Sequence, residues 1–136
     1  MSEPRCLLCR ITAGELPARK FIESEHVIGL INDAEPLARG HAVFFPKRHV
    51  PRLEQLDDGT LAELMRLVAA SARALALPQY NVLQNNGALA GQTVFHAHFH
   101  LIPRWSEADG LRYERPVGRS LDHGASFGLE ATAASY

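Results

Sequence analysis

Three histidines alternate with apolar residues in the second half of the chain. His96, His98 and His100 lie within residues 91–103, GQTVFHAHFHLIP. Side chains of an extended strand alternate between its two faces, so a strand over residues 94–102 would put the three imidazoles on one face. Such a row packs poorly, because every ring carries polar nitrogens that need partners. The pattern therefore predicts a site where neighbouring imidazoles share one ligand.

The residues that precede this row are small and rich in amides. Asn85 to Thr93 reads NNGALAGQT, with two glycines and a closing hydroxyl. Glycine lets backbone N–H groups approach an anion closely, and successive N–H groups can form a concave anion site. We expect a phosphate group to lie between this loop and the histidines.

These motifs, in this order, resemble the histidine-triad (HIT) family of nucleotide hydrolases and transferases. The row of histidines, the preceding GQTV of Gly91–Val94 and the earlier GHAVFFPKRH of Gly40–His49 all match the family pattern. The resemblance covers most of residues 5 to 104. It implies that the chain cleaves a nucleoside 5′-monophosphate, with AMP expected, from a leaving group such as an amine.

The resemblance also assigns roles to the histidines. It implies that His98 attacks the α-phosphorus and forms a covalent nucleotidyl-imidazole, which water then hydrolyses. One ring nitrogen must be free for attack while the other is held as a donor, and a neighbouring backbone carbonyl can hold it. His100 is expected to bond a phosphate oxygen or the leaving group, and His41 to line the pocket from the adjacent strand.

A purine nucleotide is the implied ligand. Asp33 lies where a family carboxylate accepts hydrogen bonds from the ribose hydroxyls, and apolar residues would sandwich the base, which agrees with the chemistry of both groups. The implied nucleotide-binding residues are Leu8, Ile11, Ile31, Asp33, Asn85, Gly91, Gln92, Thr93, His98 and His100.

The two cysteines, Cys6 and Cys9, have the spacing C-x-x-C. Without a secretory signal a structural disulfide is not expected, and the spacing alone leaves metal binding and redox exchange open. Similarity to a zinc-binding branch of the family implies that both cysteines bind Zn²⁺ together with His49 and His96. Four protein ligands complete a tetrahedral site, which is typical of a structural metal.

The composition narrows the class of protein. At 136 residues and 46% hydrophobic content, residues 1–136 are expected to form a single domain. A net charge of −1 gives no bulk attraction to nucleic acid or to an anionic membrane. No apolar run reaches the length of about 18 residues that spans a bilayer, and the N-terminus lacks a signal-peptide pattern. We expect a cytoplasmic enzyme without nucleic-acid or membrane partners.

The remaining patterns predict an α+β fold: an antiparallel five-stranded sheet, one long helix and a short N-terminal helix. The long helix would begin at Asp57–Asp58 and run to about Ala76, since apolar residues there recur every three or four positions. A short helix is expected within residues 3–14. The predicted strands are 20–23, 26–31, 42–45, 80–84 and 94–102. Residues 106–136 read as an irregular C-terminal tail, and the resemblance implies a homodimer.

Two other functions stay open from the sequence. In the first, the three histidines bind a catalytic zinc that hydrolyses a phosphoester, although no general-base carboxylate is evident beside them. In the second, the chain binds nucleotides without turnover, because a binding pocket and a catalytic site can use the same residues.

Overall fold

A five-stranded antiparallel sheet lies at the centre of the computed structural model, which describes residues 3–110. The strands are β1 (Lys20–Glu23), β2 (Val27–Ile31), β3 (Ala42–Pro46), β4 (Tyr80–Gln84) and β5 (Phe99–Pro103), in the spatial order β1-β2-β3-β5-β4. The helices are α1 (Leu7–Thr12) and α2 (Asp58–Ala74), with single 3₁₀ turns at Leu53–Gln55 and Ala88–Ala90. The predicted α+β fold class is confirmed.

The two helices cover opposite faces of the sheet. On one face, Leu64, Val68 and Ala72 of α2 pack against a buried cluster that includes Phe44 and Leu101. These helical residues are four positions apart, so they form one stripe along α2. The other face packs against α1, and its buried cluster consists of Leu8, Ile11, Ile28, Leu30 and Phe45. Alternate residues of the central strands thus serve two cores.

Side-chain caps fix the starts of both helices. The carboxylate of Asp57 accepts a hydrogen bond from the N–H of Thr60 at 3.0 Å, which satisfies one of the unpaired donors at the start of α2. In α1 the sulfur of Cys6 takes the same position and accepts from the N–H of Cys9 at 3.5 Å. The cap of α2 agrees with the predicted start at Asp57–Asp58, and α2 ends two residues before the predicted Ala76. The helix α1 lies within the predicted residues 3–14 but begins only at Leu7.

The predicted strand 94–102 is wrong over its first half, because β5 begins only at Phe99. Residues 94–96 bend, and Phe95, which a strand over residues 94–102 would place on the face opposite the histidines, is 52% exposed. The backbone there finds partners outside the sheet: the N–H of Ala97 donates to the carbonyl of Val50 at 2.7 Å, and the carbonyl of Val94 accepts from the Gln92 side chain at 3.0 Å. With these groups satisfied, nothing requires the segment to join the ladder.

The end of the chain is only partly described. Residues 105–110 form a turn after β5, whereas 111–136, most of the predicted irregular tail, lie outside the described residues. Among residues 3–110, no helix has both the length and the apolar character that a membrane crossing requires.

Gly29 of β2 offers a test of the packing between the outer and inner strands. A Cβ on Gly29 would lie 2.5 Å from Cγ2 of Ile22 and 3.1 Å from Cδ1 of the buried Phe44 ring. We expect Gly29→Ala to lower the free energy of unfolding by roughly 1–3 kcal/mol, as overpacking does, in a urea titration. The cost should be smaller in an Ile22→Ala background, where the nearer contact is gone. An equal cost in both backgrounds would contradict the steric explanation.

Candidate active site and metal cluster

The ring of His98 is held in one tautomer by the backbone. Its Nδ1–H donates a hydrogen bond to the carbonyl oxygen of His96 at 2.7 Å. A carbonyl can only accept, so in the neutral ring the proton lies on Nδ1 and Nε2 keeps a free lone pair. The side chain is only partly buried. His98 therefore has the geometry of a nucleophile with its second nitrogen fixed as a donor, as the sequence predicted.

His41 and His100 carry their protons on Nε2, the opposite tautomer to that of His98. The N–H of Leu37 donates to Nδ1 of His41 at 3.1 Å, so the His41 proton lies on Nε2. That Nε2–H donates in turn to Nδ1 of His100 at 2.9 Å. The His100 proton is thereby placed on Nε2, which remains available as a donor.

Burial keeps this pair of imidazoles neutral. His41 is 2% exposed, and burial lowers its pKa. Burial lowers the pKa of His100 to about 4, with smaller contributions from the charges that His98 and His41 would carry. Near pH 7 both rings are therefore neutral, and the direction of each proton follows from the hydrogen bonds alone.

The two types of ring stand side by side. The ring centroids of His98 and His100 are 5.0 Å apart, with their planes at 74°. One imidazole thus presents a lone pair beside another that presents an N–H. This combination suits attack on an electrophilic phosphorus together with a hydrogen bond to one of its oxygens.

The loop before the histidines is shaped by glycine and by one buried amide. Gly87 and Gly91 have φ angles of 93° and 92°, which side chains with a Cβ rarely adopt. Gln92 is 3% exposed; its side chain accepts from the N–H of Gly87 at 2.7 Å and donates to the carbonyls of Pro51 and Val94 at 2.8 and 3.0 Å. These three bonds use both amide hydrogens and one lone pair of the amide oxygen, so the Gln92 side chain braces the loop.

The other sequence-predicted nucleotide residues fall in two places. Asn85 and Thr93 belong to the glycine loop, where Nδ2 of Asn85 lies 3.5 Å from the carbonyl of Gly91. Asp33 is exposed, and its carboxylate is paired with Arg19 at 2.8 Å.

The apolar residues assigned to the base lie on two elements, α1 and β2. Leu8 and Ile11 are buried in the α1 cluster, on which Leu16 and Val94 also pack. Ile31 ends β2 opposite Ala42 and is not among the side chains described in that cluster.

A second group of side chains converges beside the nucleophile. Nδ1 of His96 lies 3.4 Å from Sγ of Cys6, 3.6 Å from Sγ of Cys9 and 3.3 Å from Nδ1 of His49; Sγ of Cys9 and Nδ1 of His49 are 3.4 Å apart. All four ligand atoms lie within 4.8 Å of one another. A tetrahedron with zinc-type bonds has edges of roughly 3.3 to 3.8 Å. The predicted metal residues are thus brought together in a group that can bind a metal.

The orientation of His96 supports this use. The ring is fully buried, and its Nε2–H donates to the carbonyl of Pro46 at 2.6 Å. The Nδ1 lone pair therefore faces the cysteines, in the tautomer that a metal ligand needs. Burial lowers the pKa of His96 to about 4, which keeps the ring neutral near pH 7.

The three imidazoles therefore do not share one strand face, as the predicted strand 94–102 would have placed them. His96 turns towards the cysteines and His98 gives its Nδ1–H to a carbonyl, so the three rings do not converge on a common metal. This geometry disfavours the alternative of an open catalytic zinc held by His96, His98 and His100. Sequence reasoning predicted a carbonyl partner for His98 without naming His96, and it missed the backbone groups of Leu37 and Pro46, because their roles carry no residue-type signal.

The fold and the site together define a class of protein: a small α+β domain in which partnered histidines stand beside a glycine-rich loop. The family whose profile matches residues 13–107 is described as the HIT domain. This chain belongs to the HIT family.

Named relatives support the same assignment. The chain is 42% identical over 106 residues to adenosine 5′-monophosphoramidase HNT1 of Saccharomyces cerevisiae, covering 78% of this chain and 66% of that protein. It is 38% identical over 103 residues to adenylylsulfatase HINT3 of Arabidopsis thaliana, covering 73% and 52%. The crystal structure of a histidine triad nucleotide-binding protein from Candida albicans matches with a TM-score of 0.81 at 35% identity, covering 96% and 95% of the two chains.

The lowered pKa of His100 predicts a pH dependence of stability. The ordinary pKa is 6.5 and the folded value is about 4. Below pH 6.5 the unfolded chain takes up a proton that the folded chain does not, so the stabilisation is complete above pH 6.5 and is lost as pH falls towards 4.

We expect urea unfolding of the His100→Asn variant to show a smaller loss of stability between pH 6.5 and pH 4 than the unchanged chain. Asparagine does not titrate, and its amide oxygen can still accept from His41. The metal cluster is common to both proteins, so the difference isolates His100. Equal slopes in the two proteins would rule out a neutral His100 as a source of the pH dependence.

Proposed function

We propose that this chain is a nucleotide hydrolase that releases AMP from adenosine 5′-phosphoramidates by way of a covalent intermediate on His98. The observation that carries the proposal is the hydrogen bond from Nδ1 of His98 to the carbonyl of His96 at 2.7 Å, which leaves the Nε2 lone pair for phosphorus. The monophosphoramidase relative at 42% identity supports the same substrate class.

The reaction divides into two displacements at phosphorus. In the first, the Nε2 lone pair of His98 forms a bond to the α-phosphorus, the bond from phosphorus to the leaving nitrogen breaks, and the departing amine takes up a proton from solvent. In the second, water attacks the same phosphorus, the bond to Nε2 breaks, and AMP leaves with release of a proton.

His100 and His41 assist both displacements. Nε2–H of His100 donates to a phosphoryl oxygen or to the leaving atom as negative charge develops there. His41 acts through His100, because its own Nε2–H fixes which His100 nitrogen carries hydrogen. No free carboxylate is needed for these steps.

The nucleotide would lie between the glycine loop and the α1 face of the sheet. Backbone groups of Gly91 and Thr93, with the side chains of Asn85 and Thr93, would contact the phosphate, while the buried amide of Gln92 keeps the loop in shape. Asp33 would exchange its ion pair with Arg19 for the ribose hydroxyls. The apolar contacts proposed for the purine are Leu8, Ile11 and Ile31.

Zinc is the metal proposed for the Cys6, Cys9, His49 and His96 group. Two thiolates and two imidazoles are ligands that zinc prefers, and four of them leave no open position for substrate. When bound, zinc would supply a structural cross-link between α1 and the segment that carries the nucleophile. Its ligand His96 also provides the carbonyl that holds His98.

The proposal also covers the oligomeric state and the cellular location. A homodimer is supported by β4, one of the two edge strands of the sheet, where Tyr80 and Val82 are 45% and 46% exposed. An edge strand with exposed apolar side chains can pair with the same strand of a second copy. We also propose a cytoplasmic location, which fits reduced cysteines as metal ligands.

Intact-mass measurement after mixing with adenosine 5′-phosphoramidate tests the nucleophile. We expect a transient increase by one adenylyl group in the unchanged chain, and no adduct and only background turnover in His98→Ala. His26→Ala is the matched control, since His26 is exposed and pairs with Glu63 at the surface. Turnover that persists in folded His98→Ala would refute the assignment, and nucleotide binding without turnover in the unchanged chain would favour a binding module.

Metal analysis and thermal unfolding test the zinc proposal. We expect about one zinc ion per chain, and a melting temperature lower by about 10 °C after chelation, since a ligand bound only to the folded state stabilises it by mass action. Added Zn²⁺ should restore the melting temperature, whereas Mg²⁺, which prefers oxygen ligands, should not. Cys9→Ser should reduce the zinc content. A chain that purifies without metal and melts unchanged after chelation would disprove the proposal.

A further inference from the structure

The turn that follows β5 is tied to the loop that leads into β3. The indole Nε1–H of Trp105 donates to the carbonyl of Arg39 at 2.8 Å, and the N–H of Gly110 donates to the carbonyl of Leu37 at 2.9 Å. The guanidinium carbon of Arg39 lies 5.3 Å from the centre of the Trp105 ring, a cation–π distance. We call the two hydrogen bonds the turn contact.

The turn is itself well defined. The carboxylate of Asp109 accepts hydrogen bonds from the N–H groups of Trp105 and Ser106, both at 2.8 Å. Gly110 has a φ angle of 75°, and a Cβ there would lie 2.7 Å from Cδ of Arg104. Residues 105–110 thus form a closed turn that can hold the neighbouring loop in a fixed position.

One hydrogen bond of the turn contact involves Leu37, which also bonds to His41. Leu37 accepts from Gly110 through its carbonyl, and its N–H donates to Nδ1 of His41. That donation is what places the His41 proton on Nε2 and, through it, the His100 proton on Nε2. The turn contact therefore acts on the loop at the point that sets the direction of both protons.

Loss of the Leu37 donor would allow the histidine pair to reverse. His41 could then carry its proton on Nδ1 and accept at Nε2 from an Nδ1–H of His100. His100 would present a lone pair, instead of an N–H, towards the phosphoryl group. A lone pair repels phosphate oxygen, so the charge stabilisation at that point would be lost.

We propose that Trp105 is a positioning residue, which holds the Leu37–His41–His100 chain in the tautomers that leave an N–H on Nε2 of His100. The expected effect of Trp105 on turnover rests on the proposed function, whereas its expected effect on the tautomers does not. Trp105 itself touches no reacting atom and acts only through the loop.

Trp105→Phe is the direct test, because it keeps an aromatic ring and removes the N–H donor. The side chain is 45% exposed, so the variant is expected to fold. With adenosine 5′-phosphoramidate we expect kcat to fall by about tenfold with little change in KM, as part of the proton-donor contribution is lost. Gly110→Ala, which strains the other half of the turn contact, should act in the same direction.

Nitrogen-15 NMR of the imidazole rings provides a readout independent of turnover. In the unchanged chain the Nε2 of His100 should give the signal of a protonated ring nitrogen and Nδ1 that of an unprotonated one. Trp105→Phe should show a mixture of tautomers at His41 and His100. Phe21→Leu, which changes a 40% exposed aromatic on β1, and Arg39→Met, which keeps the Arg39 carbonyl, are the controls expected to resemble the unchanged chain.

The outcomes separate the two ideas. Unchanged tautomers and unchanged kcat in both Trp105→Phe and Gly110→Ala would overturn the positioning role even if the chain is a phosphoramidase. If the unchanged chain does not hydrolyse the substrate, the proposed function fails, and the tautomer signals alone decide the role of Trp105.

Discussion

The hydrogen bond between Nδ1–H of His98 and the carbonyl of His96 is the contact on which the site depends. An imidazole has two nitrogens, and it can present a lone pair to a ligand only when the other nitrogen carries the proton. The carbonyl of His96 is available for this purpose because β5 begins at Phe99. In a regular strand through residue 94 that carbonyl could pair with the neighbouring strand instead. The bend at residues 94–96 is therefore a functional part of the fold.

The same bend allows His96 to contribute both to the metal group and to the position of the nucleophile. It turns the side chain of His96 into the interior beside Cys6 and Cys9, while the backbone of the same residue faces His98. One residue thus belongs to the metal group through its ring and to the nucleophile through its carbonyl. A change in the geometry of the metal group would therefore move the carbonyl that holds His98, because both belong to His96.

Backbone groups set the proton positions of His96, His98 and His41, and the ring of His41 then sets that of His100. Pro46 accepts from His96, His96 accepts from His98, and Leu37 donates to His41. Burial adds to this by keeping His41 and His100 neutral, since a charged imidazole is poorly solvated in the interior. The arrangement gives one ring with a lone pair beside another with an N–H, and it does so without a carboxylate partner for the nucleophile.

The sequence by itself determined the elements whose signals are local. The spacing of Leu64, Val68 and Ala72 predicted α2, Asp57 predicted its start, and the glycine loop and histidine spacing identified the site region. The resemblance to the family supplied the partners of Cys6 and Cys9, which spacing alone left open. Tertiary structure decided the split of the histidine row, the place of Ile31 and the contacts of Leu37 and Trp105. Those outcomes depend on which distant carbonyl or N–H satisfies a given group, and backbone groups are the same in every residue type except proline.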